Sequence, residues 1–148
     1  MQITQLPNLQ DWCLHLGISK QVVAAIIVRE NKILICQRTP EQTMPFKWEF
    51  PGGKVEPEEG LRAALRRELQ EELGIEATIG TRVAVIRHSY SAGNAVELHF
   101  YRVDHFEGEI QNLIFHDVRW VERKELPGYD FLEADIAFVK KISAGEIL

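Results

Sequence analysis

Three glutamates stand close together in RRELQEELG, residues 66–74: Glu68, Glu71 and Glu72. At ~100° per residue they fall within about a third of a helix circumference. Carboxylates at this spacing repel one another by roughly 0.2–0.5 kcal/mol per pair. Gly74 reads as the C′ stop of the helix, so the acids lie at its negative end, where the macrodipole opposes them further. Two readings answer the repulsion. One is a hard divalent cation, since Mg²⁺ takes oxygen ligands and is shared between carboxylates and substrate phosphates. The other is a solvated acidic face with Arg66 and Arg67 as partners. The first brings chemistry: a cation bridging two phosphates offsets their charge, acidifies water and aligns it for in-line attack on phosphorus. No protein nucleophile is evident. Ser89 and Ser91 sit in turn-like sequence, and Cys13 and Cys36 lack an obvious histidine partner. His88, His99, His105 and His116 show no metal-ligand spacing and read as core or surface histidines.

The acids need an element to carry them. LRAALRRELQEEL, residues 61–73, repeats Leu61, Ala64, Leu65, Leu69 and Leu73 at helical spacing, and the glutamates lie beside that stripe, at the rim of the core. Before it, VVAAIIV (22–28) and KILICQR (32–38) read as strands joined by a hairpin at Glu30-Asn31. TPEQTMPFK is a polar loop, and WEFPGGKVEPEEG ends in a turn-rich segment where GG and EP interrupt regular structure. After the helix, RVAVIRHSY (82–90) and AVELHFYRV (95–103) form an antiparallel pair about the SAGN turn, and VRWVE (118–122) is a further short strand. Residues 134–145 make a last amphipathic helix through Ile136, Val139 and Ile142. Residues 1–20, with a short helix around Leu9–Leu16, form an extension without an assigned role, and 21–148 form the domain. Strands with inserted helices and short hairpins point to a mixed sheet with helices against it.

Composition excludes several alternatives. The 148 residues suit one domain. A net charge of −5 gives no general attraction to nucleic acid or an anionic membrane, so stable nucleic-acid binding is not expected. The sequence contains no signal-peptide pattern at Met1 and no apolar run of membrane-spanning length, and its two cysteines form no disulfide framework, which together favour a cytoplasmic protein. Oligomeric state is not legible in the chain.

From Gly53 the sequence runs GKVEPEEGLRAALRRELQEELGI and fits, without a mismatch, G-x5-E-x7-R-E-U-x-E-E-x-G-U, where U is a bulky aliphatic residue. Gly53, Glu59, Arg67, Glu68, Glu71, Glu72 and Gly74 take the fixed places, with Leu69 and Ile75 at the aliphatic ones. This resembles the Nudix box of hydrolases that cleave a nucleoside diphosphate linked to another group. The resemblance extends from about Val22 to Ile142 and is nearest to MutT-like nucleoside triphosphate pyrophosphohydrolases, through WEFPGGKVEPEE, the QR of ILICQR and FLEAD. It implies an α/β/α sandwich with a central mixed sheet and the box as loop–helix–loop. It implies a Mg²⁺ cofactor, with Mn²⁺ able to substitute, and a nucleotide substrate. Gly52 would offer its carbonyl to the metal, with Glu71 and Glu72 as principal ligands and Glu68 as a further ligand or as the general base. Glu59 and Arg67 would pair to hold loop against helix; the alternative is a surface ion pair worth little. Lys54 and Arg38 would meet phosphate oxygens, although Arg38 also suits a solvated strand end.

The implied reaction gives nucleoside monophosphate and pyrophosphate, in the service of nucleotide-pool sanitation and DNA repair, with oxidised nucleotides such as 8-oxo-dGTP as substrates. Dinucleoside polyphosphates, nucleotide sugars and capped RNA ends are alternatives that keep the chemistry, and a non-catalytic nucleotide-binding module is one that does not. One departure bears on the base. MutT-like proteins commonly carry another glutamate before the strand written here VRWV, and Ile114 takes its place, with His116 and Asp117 nearby. That favours Glu68. Phe50 shares a strand face with Trp48 and serves either base stacking or core packing. Asp135 aligns with the residue that reads the base in MutT, and equally fits the N-cap of the last helix. Tyr90 falls at a spacing reminiscent of dinucleoside polyphosphate hydrolases.

Overall fold

The apolar run after Lys20 becomes the central strand of the molecule in the computed structural model, which describes residues 20–89 and 95–148. In β1 (Lys20–Arg29) five consecutive residues, Val23–Ile27, are buried, because both faces of this strand are covered. Val23, Ala25 and Ile27 point to one core cluster, and Ala24 and Ile26 to the other. Glu30 and Asn31 both have positive φ, 52° and 66°, as a two-residue hairpin turn requires, and the turn sets Arg29 against Lys32 at the start of β2 (Lys32–Gln37).

Around these two strands the sheet branches. β2 pairs antiparallel with β3 (Trp48–Glu49) and with β9 (Asp117–Glu122). β1 pairs antiparallel with β4 (Gly52–Lys54) over Val22–Ala24 and parallel with β7 (Ala95–Val103) over Lys20–Ile27, and β7 carries β6 (Arg82–Ser89) on its far side. One parallel contact among antiparallel ones makes the sheet mixed. β5 (Glu76–Thr78) and β8 (His105–Glu107) form a separate two-stranded ribbon.

Helix α1 (Leu61–Leu73) covers one face through Ala64, Leu65, Leu69 and Leu73, and Gly74 closes it in the left-handed conformation with its N–H on Gln70 O. The other face is covered by the 3₁₀ turns Arg123–Gly128 and Glu133–Asp135 and by α2 (Ile136–Ser143), around Phe50, Phe100, Leu126 and Phe138. The result is the expected α/β/α sandwich. Two segments differ from the reading of the sequence. GGK is strand rather than turn, because β1 offers it a partner, and the last α-helix begins at Ile136 rather than 134, preceded by a tighter 3₁₀ turn. The Leu9–Leu16 helix, the SAGN turn, Cys13, Ser91 and Tyr90 lie outside the described residues. Among the described residues no helix is long and apolar enough to cross a membrane.

Candidate active site

Arg67 organises the loop in front of α1. Its Nε donates to Glu59 Oε2 at 2.8 Å and its Nη2 to Glu59 Oε1 at 2.9 Å, a bidentate pair. The same guanidinium donates to Glu68 Oε1 at 3.0 Å, to the Lys54 carbonyl at 3.2 Å and to Glu71 Oε2 at 3.4 Å. Glu59 also accepts the Glu56 N–H, and its carboxyl is held below its ordinary range, first by the Arg67 hydrogen bond. Loop, β4 and helix are thereby tied through one side chain.

Gly52 and Gly53 bring the β4 backbone against the acids. Gly52 has φ 154°, and a Cβ there would lie 1.9 Å from Val23 O, so no other residue fits. Its N–H donates to Glu72 Oε1 at 3.1 Å. A Cβ on Gly53 would lie 2.5 Å from the Glu68 carboxyl carbon. Glu72 is buried at 6% exposure, and its carboxyl is pushed up to about 10, first by burial and then by the hydrogen bond and charge of Glu68. Two carboxyls thus converge on a glycine loop. This is a donor set that a hard cation fits, since a double positive charge would replace the proton that burial forces on Glu72. Glu71 is turned outward at 58% side-chain exposure, and the described residues hold no ready-made cluster of three or more acidic, histidine or cysteine ligands. Glu68 and Glu72 are brought together; Glu71 has to rotate from Arg67 to join them.

Beside the acids opens a pocket of about 340 Å³. Val22, Ala24, Phe50, Leu98 and Leu132 make its apolar walls, and Lys54, Arg38, Glu49, Glu72 and Asp135 supply its charged groups. Phe50 is 4% exposed and packs in T-shaped contacts with Phe100 and Phe138, so the ring that lines the pocket is anchored in the core. Arg38 reaches the pocket wall already engaged: Nη1 donates to both Glu49 oxygens at 3.2 and 3.3 Å, and Nε to Thr43 O at 2.7 Å. Asp135 occupies the N-cap position of α2 but makes no capping hydrogen bond, with backbone angles of −94° and −13° that belong to the preceding turn. Burial first, and the neighbouring Glu49 second, push its carboxyl up to about 8. Ile114 lines the same pocket from the loop before β9, which is pinned to the end of α1 by Gln111 N–H on Leu73 O and Leu113 N–H on Glu72 O.

Sequence reasoning missed Glu49. Its carboxyl is raised by burial, with Arg38 pulling the other way, and its charge is felt at Cys36, Glu72 and Asp135. The signal was present: an acid flanked by two core aromatics in WEF has to point to the opposite face of the strand, toward α1. Among the histidines, His99 is buried against Glu97 and His116 meets Phe46 edge-on, neither beside the acids.

A mixed sheet between two helical layers thus lays a glycine strand against a carboxylate helix at the mouth of a pocket. Residues 19–142 match the NUDIX domain family. The chain is 44% identical over 124 residues to the CTP pyrophosphohydrolase of Escherichia coli strain K12, covering 84% of this chain and 91% of that one. It is 32% identical over 123 residues to the 8-oxo-dGTP diphosphatase of the same organism, covering 82% and 95%. The solution structure of the E. coli ORF135 protein superimposes with a TM-score of 0.77 at 41% identity, covering 86% of this chain and 91% of that one. The chain belongs to the NUDIX family and is a MutT-like hydrolase acting on phosphoric anhydride bonds.

Proposed function

We infer that the chain hydrolyses nucleoside triphosphates to monophosphate and pyrophosphate with Mg²⁺, Mn²⁺ substituting, and that cytosine nucleotides are its preferred substrates. Glu72, Glu68 and the Gly52 carbonyl would hold the cation, joined by Glu71 after rotation. When bound, the cation offsets phosphate charge and acidifies water. Lys54 binds phosphate oxygens from the pocket rim. Glu68 accepts the proton of the attacking water, held in place by Arg67, which in turn is fixed by Glu59. Ile114 supplies no carboxylate, which leaves this role to Glu68. Arg38 acts on the substrate through Glu49, whose carboxylate it orients.

The observation that carries the base preference is the burial of Asp135, 4% exposed in the pocket wall it shares with Glu49. A buried carboxyl beside Glu49, without a cation or capping bond of its own, holds a proton at neutral pH. A protonated carboxyl presents one donor and one acceptor side by side. The cytosine edge, with N3 as acceptor and N4–H₂ as donor, is its complement. An ionised carboxylate would suit the two-donor N1–H and N2–H₂ edge of guanine instead. The CTP pyrophosphohydrolase relative supports the cytosine reading. A second reading, removal of oxidised guanine, is favoured by the 8-oxo-dGTP diphosphatase relative and by the same chemistry, because oxidation at C8 places a donor at N7 beside the O6 acceptor. Measuring kcat/KM for CTP, dCTP, GTP and 8-oxo-dGTP tests both. CTP and dCTP should lead; GTP as the best substrate would reject the reading of Asp135.

A further inference from the structure

A second cavity, larger than the one beside the acids, lies elsewhere on the molecule. A polar cleft of about 560 Å³ opens where the β1–β2 hairpin, the end of β7, the 3₁₀ turn after β9 and the end of α2 meet. Val28, at its edge, lies four to six residues beyond Val22–Ala24 on β1, so at roughly 3.3 Å per residue the cleft is about 15 Å from the Gly52 loop. The two sites share no residue.

Its lining is basic in a chain whose net charge is −5. Lys32, Arg102, Arg123 and Lys124 face Glu30 and Glu122. Lys124 approaches Glu122 at 3.7 Å with both side chains well exposed, a pair of little energetic weight. Arg102 engages Asp104 only through Nε, at 2.9 and 3.0 Å, which leaves its two terminal amino groups for another acceptor. Arg123 is half-buried, and among the described residues neither it nor Lys32 makes a side-chain hydrogen bond or ion pair. A guanidinium carries five donors in a fixed fork that matches phosphate oxygens. Two forks and two lysines around one recess, with Asn31 and Ser143 as neutral polar groups, form a set of donors suited to an anion.

We propose that this cleft is a second binding site, separate from the hydrolytic one, for the phosphates of a small polyphosphate anion such as pyrophosphate or a nucleoside triphosphate. The size of the recess exceeds what a single inorganic phosphate fills, and four cations distributed over three elements suit two or three linked phosphates better than one. Recognition needs no divalent metal, since the arginines and lysines themselves carry the charge. Pyrophosphate is also what hydrolysis of a nucleoside triphosphate releases, so the anion is at hand whenever the enzyme turns over.

The test is an NMR titration of the full ¹⁵N-labelled chain with inorganic pyrophosphate in EDTA, followed by the same titration with CTP. Saturable shifts are expected at the amides of Asn31, Lys32, Arg123 and Lys124, at concentrations that leave Gly52–Lys54 and Glu68–Glu72 unmoved. Raising the salt should weaken binding, and Lys32→Glu with Arg123→Glu should weaken it at least roughly tenfold, the loss of two phosphate contacts. Arg123→Gln alone should give a smaller loss in the same direction, which keeps the test open if the double variant folds poorly. Equal affinity for pyrophosphate and CTP identifies the phosphates as the recognised group, and tighter CTP binding with shifts at the same amides identifies the nucleotide. Shifts confined to the Gly52–Lys54 loop, or shifts at the cleft that survive both variants, would overturn the proposal. None of these readouts depends on turnover, so they stand apart from the proposed reaction.

Discussion

Replacing Asp135 by asparagine should separate its proton from its shape. In the native protein the carboxyl holds its proton to about pH 8, against an ordinary value of 3.8. The folded state therefore binds this proton more tightly than the unfolded chain does. Its contribution is complete below pH ~4, declines as pH rises at up to about 1.4 kcal/mol per pH unit, and is fully lost above the folded value. Asparagine cannot ionise but has the same volume and the same donor–acceptor pair. Asp135→Asn should thus match the wild type only below pH ~4, already exceed it in stability at pH 5, and gain further up to pH ~8, after which the difference stays constant. Urea unfolding of both proteins at pH 5, 6, 7, 8 and 9 measures this directly. In the same series kcat/KM for CTP should fall above pH 8 in the wild type and stay flatter in the variant. Asp135→Ala, which removes both partners for the base, should lose roughly tenfold or more for CTP at every pH. Parallel stability curves for Asp and Asn across the range would refute the buried, protonated carboxyl, and with it the argument for cytosine.

Glu72→Gln removes a carboxyl that burial and Glu68 both disfavour, so without divalent metal it should raise Tm by a few degrees, while Mg²⁺ should stabilise the wild type by mass action and the variant no longer; calorimetry with and without Mg²⁺ checks both. Gly53→Ala puts a methyl where the Glu68 carboxylate lies, and should lower kcat by about a hundredfold with little change in nucleotide affinity, read by single-turnover kinetics. Arg67→Lys keeps the charge but cannot hold Glu59 bidentately and reach Glu68 and the Lys54 carbonyl together; kcat should fall at least roughly tenfold, and an unchanged kcat would show that the hub is only structural.

What the sequence revealed depended on whether local pattern or tertiary partner decided the outcome. Helix α1, its Gly74 stop and the β1–β2 hairpin rest on periodicity and turn chemistry, and all were legible. So was the closeness of Glu68 and Glu72 to the glycine loop, which the box spacing encodes. The GGK strand was not, because two glycines carry no strand preference and only β1 makes them one. Phe50 could be read as core or as base platform from its strand face, and it takes part in both places, packing with Phe100 and Phe138 while lining the pocket. Asp135 looked equally suited to capping; the 3₁₀ turn before α2 rotates it away from the helix end, a geometry no residue type announces. Arg38 reads from the sequence as a phosphate-binding or a strand-end cation; it lines the pocket, and Glu49 and Thr43 are the acceptors it meets within the protein, Glu49 being a residue the pattern did not single out.

The central claim is that Glu68 and Glu72, gathered at the Gly52–Gly53 loop, make a cation-dependent phosphoanhydride hydrolase. Following CTP by ³¹P NMR with Mg²⁺, without it, and with Mg²⁺ in Glu72→Gln tests that claim most directly. The wild type with Mg²⁺ should yield CMP and pyrophosphate in equal amounts, and the other two arms should leave CTP intact. Release of CDP and orthophosphate, or turnover undiminished by EDTA or by Glu72→Gln, would contradict it.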